Sequence, residues 1–61
     1  MYKVFYESDD GLKMILCSDM QWRHAGFNDG AHFTEKEVEY LIDRWNKNGV
    51  VDTRKIKKEA T

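Results

Sequence analysis

Val38, Leu41, Ile42 and Trp45 recur at i, i+3, i+4 and i+7, a single apolar stripe along one amphipathic helix. A helix with one apolar face must lay it against another layer, so this stripe dictates what the rest of the chain has to supply. Its ends are marked. Thr34 followed by Glu37 forms a T-x-x-E capping box, and Phe33 and Val38 are spaced as a hydrophobic staple. Glu35 and Glu37 suit the positive end of the helix dipole, and Arg44 and Lys47 suit the negative end. Asn48-Gly49 is a stop signal, which predicts a helix over about 35–48.

The covering layer reads as β-structure. Residues 2–7 are β-branched and aromatic, and Leu12 to Cys17 form a second such run beyond the Ser8-Asp9-Asp10-Gly11 turn. A three-residue loop, Asp9-Asp10-Gly11, sets Tyr2, Val4 and Tyr6 on one face with Leu12, Met14 and Leu16. Lys3, Phe5, Glu7, Lys13, Ile15 and Cys17 then share the other face, and a one-residue slip would exchange the two. Between 18 and 32 the pattern fits either a short third strand or a loop, with breaks at Gly26 and Asn28-Asp29-Gly30. Val50 to Ile56 is β-branched and reads as a closing strand, followed by a basic tail, residues 57–61, expected to fray. The expected fold is α+β over a single domain, residues 1–61. A small antiparallel sheet, a β-hairpin plus a C-terminal strand in the order ββαβ, is packed on one face by a single helix.

Sixty-one residues leave little interior. A core of this size supplies roughly 3–5 kcal/mol of net stability, and a typical ligand pocket of about 300 Å³ or more takes walls the chain can hardly spare. No enzyme activity and no cofactor are expected. The single cysteine, Cys17, leaves no intramolecular disulfide and suits a reducing cytoplasm. No apolar run approaches a membrane span, and Met1-Tyr2-Lys3 leads into no signal-peptide core. A net charge of −1 argues against a general nucleic-acid binder, although Arg54, Lys55, Lys57 and Lys58 cluster near the end.

With Trp22 upstream and a hairpin before it, the stretch Gly-Ala-His-Phe-Thr-Glu-Lys-Glu-Val-Glu-Tyr-Leu-Ile (residues 30–42) resembles small bacteriophage and prophage proteins. In these a β-hairpin leads into an A-x-F-T-x-x-E-A helix start. Ala31, Phe33, Thr34 and Glu37 match, and Val38 stands where alanine is usual. The likeness lies within residues 22–42. It implies a binder or inhibitor of host machinery, anti-defence roles included.

Cys17, Asp19, His24 and His32 lack the close pairing of zinc ligands, so no metal is expected. Cys17 lies mid-strand, away from the cation or helix N-terminus that would activate a thiolate. The residues singled out for protein binding are Trp22, Arg23, Phe27 and Tyr40, of types enriched at interface hot spots. Tyr40 lies about 200° around the helix from Val38, away from the apolar stripe. Trp22 and Phe27 equally fit a plug at the open end of the sheet under the helix. Three functions follow. The first is a non-catalytic protein-binding module using the 21–27 loop and the outer helix face. The second is a small nucleic-acid-binding protein that uses Arg54, Lys55, Lys57 and Lys58. The third is an obligate homodimer that buries Phe5, Ile15 and Cys17 against a second copy.

Overall fold

The computed structural model describes residues 1–49 and 55–61. Its elements are β1 (Tyr2–Glu7), β2 (Lys13–Leu16), β3 (Trp22–His24), α1 (Glu35–Asn48) and β4 (Lys57–Ala60). The strands form one antiparallel sheet in the order β3-β2-β1-β4, and α1 follows β3 in the chain. The fold is α+β, with the helix on one face.

The β1–β2 hairpin takes the register that the apolar alternation demands. Phe5 pairs with Ile15, Tyr6 with Met14 and Glu7 with Lys13. The loop is Asp9-Asp10-Gly11. The Ser8 N–H donates to the Leu12 carbonyl at 2.8 Å, the Gly11 N–H to the Ser8 carbonyl at 2.9 Å, and Gly11 sits at φ +81°. Val4 and Leu16 are fully buried on the helix-facing side, whereas Leu12, at the turn end, is 43% exposed.

A second hairpin joins β2 to β3 with the same loop geometry. The Cys17 N–H reaches the Gln21 carbonyl at 3.0 Å and the Met20 N–H reaches the Cys17 carbonyl at 2.9 Å. Met20, at φ +64°, occupies the left-handed position that Gly11 holds in the first hairpin. The stretch that the sequence left open thus contains a third strand, which pairs Met14 with His24, Ile15 with Arg23 and Leu16 with Trp22. The chain then returns to the middle of the sheet. Phe33 exchanges two 2.7 Å backbone hydrogen bonds with Tyr2, and the Ala31 N–H donates to the Leu16 carbonyl at 2.9 Å. These contacts place the helix start over the buried face.

The helix begins as its capping box requires. The Thr34 hydroxyl accepts from the Glu37 N–H at 3.1 Å, and the Glu37 carboxylate accepts from the Thr34 N–H at 2.9 Å. Its C-cap is Gly49, whose N–H donates to the Trp45 carbonyl at 2.9 Å. Val38 and Leu41 are buried against Val4, Leu16 and Phe33, with Ile42, Trp45, Trp22 and Ile56 packed around them. Burial of each aliphatic side chain in this cluster contributes about 1.5–3 kcal/mol.

The C-terminus differs from expectation. Of the predicted closing strand, residues 50–54 lie outside the described residues, and Lys55 and Ile56 precede the strand. The strand is Lys57–Ala60, in the tail expected to fray, and it pairs with β1 from Tyr2↔Ala60 to Phe5↔Lys57. The Thr61 N–H also donates to the Met1 carbonyl at 3.0 Å. The physical reason is that β1 offers an unpaired backbone edge, and Ile56, half-buried in the core, delivers the next residues to it. Backbone pairing here overrides the low β-propensity of Lys-Lys-Glu-Ala. All four residues of β4 are exposed, and such charged edge strands resist pairing with further chains.

Candidate functional site

Strand alternation decides where the residues singled out for binding go. Trp22 lies opposite Leu16 on the helix-facing side. Its ring meets Tyr6 edge-on at 4.8 Å and Trp45 at 5.5 Å, so it plugs the sheet under the helix. Arg23 lies opposite Ile15 and projects from the other face of the sheet, ion-paired with Asp19. Phe27 does not plug the sheet. It is 86% exposed, with its ring 5.3 Å from that of His24. Tyr40 is 62% exposed on the outer side of the helix. The four residues therefore do not form one surface, because Trp22 is packed inward and Arg23 faces away from the helix.

The structure brings a different set to Tyr40. Met20, Phe33, Lys36, Glu37, Tyr40 and Leu41 line an open, mainly apolar groove of about 340 Å³ between the β2–β3 turn and α1. On the far side of Tyr40 a second hollow of about 340 Å³ is polar, lined by Asp43, Arg44, Lys47 and Asn48. The floor of the first groove, Phe33 and Leu41, is the flank of the core, and Met20, 47% exposed, forms one wall. The available sequence signal for Met20 was the likeness of Ser18-Asp19-Met20 to Asp9-Asp10-Gly11, two three-residue loops of which the second has methionine where the first has glycine. A non-glycine residue in the left-handed region costs of order 1–3 kcal/mol.

The charges around the groove are mostly engaged. The Thr34 backbone N–H, and then its hydroxyl, hold the Glu37 carboxyl below its ordinary value of 4.5. Asp43 pairs with Lys47 at 3.2 Å. Lys36 and Arg44, one turn to either side of Tyr40, have no such partner among the described residues.

The basic cluster is divided. Arg54 lies outside the described residues. Lys55 pairs with Asp9 at 3.1 Å, and Lys58 pairs with Glu35 at 3.5 Å while lying over the Tyr2 ring at 4.8 Å. Lys57, opposite Phe5, projects to the other face of the sheet. No single face presents Lys57 and Lys58 together.

The second sheet face carries less free apolar surface than its sequence implies. Ile15 is only 3% exposed, with the backbone of Gly30 close against it, and Phe5 lies beneath the Lys13 ammonium at 4.5 Å. Lys13 in turn pairs with Glu59 at 3.7 Å. Among the described residues no three His, Cys, Asp or Glu side chains converge as metal ligands, and no polar or charged residue is buried. His24 Nδ1 accepts from the Gly26 N–H at 3.0 Å. No helix among the described residues is long and apolar enough to cross a membrane.

Fold and groove together define a small α+β domain with an open apolar groove beside its helix. No protein-family model, curated protein or solved structure matches the chain.

Proposed function

We propose that the protein is a non-catalytic protein-binding module that docks its partner through the outer face of α1 and the adjoining β2–β3 turn. The observation that carries this reading is Tyr40, 62% exposed between an apolar and a polar hollow, each of about 340 Å³. A tyrosine so placed offers a rigid aromatic body and a hydroxyl, the combination that binding hot spots favour. An open groove on the core flank also suits a protruding side chain better than an enclosed small molecule. A host protein is the partner that the phage resemblance implies, with inhibition or modulation as the effect.

A photo-crosslinking amino acid placed at Lys36 tests the reading against the same group placed at Lys3, on the opposite side of the sheet. In extract from the host cell, a discrete protein adduct is expected from position 36 only, and Tyr40→Ala should abolish it. Equal adducts from both positions, or capture of nucleic acid in a strongly salt-dependent manner, would reject the docking face.

A further inference from the structure

His24, half-buried at the end of β3, closes a turn with its own ring. Its Nδ1 accepts from the Gly26 N–H at 3.0 Å. Its carbonyl accepts from the Phe27 N–H at 3.1 Å and from the Asn28 side-chain amide at 3.0 Å. Gly26 does not hold the left-handed backbone of Gly11, Gly30 and Gly49, so its lack of a side chain serves the ring instead. A Cβ there would stand 3.0 Å from Nδ1 and 3.1 Å from Cε1 of His24. The turn carries Phe27, 86% exposed, with its ring 5.3 Å from the imidazole and tilted by 51°.

An imidazole nitrogen accepts a hydrogen bond only while it carries no proton, so this geometry requires a neutral His24 with its proton on Nε2. Histidine is the side chain whose charge changes between pH 5 and 8. A proton on Nδ1 would set two donors against each other across 3.0 Å. The surroundings offer no anion in compensation. On the same sheet face the row runs from His24 through Met14 to the Tyr6 phenol. Lys13 and Arg23 project to the other face, paired with Glu59 and Asp19. From α1, Trp45 packs on Trp22, whereas Asp43, Arg44 and Lys47 line the hollow beside Tyr40. Asp29, the acidic residue of the following loop, is exposed, and no carboxylate among the described residues forms an ion pair with the His24 ring. The attraction of an imidazolium for the Phe27 ring is weak at so exposed a site.

We propose that His24 is a pH-sensitive pin of the 24–28 turn. Neutral, it ties the Gly26 N–H and seats Phe27 against its ring. Protonated at Nδ1, it loses the acceptor, the turn opens and Phe27 leaves the ring, while the sheet and the helix stay folded. The device lies apart from the groove beside Tyr40 and does not depend on what docks there.

Proton and nitrogen NMR of the full chain between pH 8 and pH 5 tests the pin. The Gly26 amide proton should move upfield in one step that tracks the His24 ring protons, and the cross-relaxation between the His24 and Phe27 rings should be lost. Amides of β1 and α1 should hold their positions. His24→Asn supplies an acceptor for the N–H two residues on but does not titrate, so its Gly26 amide should stay bonded across the range. The exposed His32 should titrate without moving Gly26. A Gly26 amide that stays still while His24 titrates would overturn the proposal, as would one that follows His32 or shifts equally in His24→Asn. Ring contact between His24 and Phe27 that survives at pH 5, or loss of all dispersed signals together, would overturn it too.

Discussion

An alanine at Gly30 would place its Cβ 2.6 Å from both Cγ1 and Cδ1 of Ile15, a side chain only 3% exposed, and would also have to hold φ +79°. Steric overlap and backbone strain add, so Gly30→Ala is expected to cost roughly 2 kcal/mol or more. Gly11→Ala meets no atom within 4 Å and retains only the backbone penalty, about 1 kcal/mol. Urea denaturation of both variants checks the comparison, and equal losses would show that Gly30 is not packed on Ile15. Tyr40 and Arg23 form a similar contrast for binding. Tyr40→Ala should weaken partner binding by about thirtyfold, the loss of a 2 kcal/mol hot spot. Arg23→Ala should leave binding unchanged, because Arg23 projects from the sheet face opposite the helix. Titration calorimetry with a partner obtained by crosslinking would measure both, and a loss at Arg23 would move the docking surface to the other face.

At the scale of the element, the helix start is the most self-contained unit. Thr34→Ala removes the hydroxyl that accepts from the Glu37 N–H and should cost about 1 kcal/mol. The Glu37 carboxyl titrates below its ordinary 4.5 because the Thr34 N–H and hydroxyl favour its charged form. A carboxyl depressed by folding stabilises the native state above its unfolded value, and that contribution fades as pH falls through the folded value. Stability should therefore drop on acidification from about pH 5 downward, and Glu37→Gln should flatten that part of the profile. Denaturation midpoints between pH 6 and pH 3 measure the difference, and parallel profiles would mean the carboxylate contributes nothing to the cap.

For the whole molecule, the sharpest expectation concerns the last five residues. A fraying tail could be removed without effect, but β4 covers the edge of β1 over four residue pairs and ties Thr61 back to Met1. Truncation after Ile56 should lower the melting temperature by many degrees or prevent folding, because it strips backbone partners from the strand that carries the buried Val4. An unchanged melting curve by circular dichroism would mean that β4 is dispensable. Charge reversal at Lys57 and Lys58 should alter stability far less, since Lys57 and Lys58 are exposed.

What could be read from the residues alone was local or strictly periodic. The limits of α1 follow from Thr34, Glu37 and Gly49, which satisfy backbone groups within a few residues of themselves. The hairpin register follows from Gly11 and from alternation, since a slip would turn Val4 and Leu16 to solvent. The contribution of the tertiary structure was everything that depends on a distant partner. Lys57–Ala60 is a strand because β1 has a free edge, and Ile15 is buried because Gly30 returns beneath it. Trp22 and Arg23 are neighbours in the chain, yet the pleat sends one into the core and the other away from the helix. Met20 and Tyr40, twenty residues apart in the chain, line one groove because a hairpin turn and a helix flank the same core. Propensity and periodicity describe a residue against its sequence neighbours, whereas hydrogen-bond completion and close packing join residues that no local pattern links.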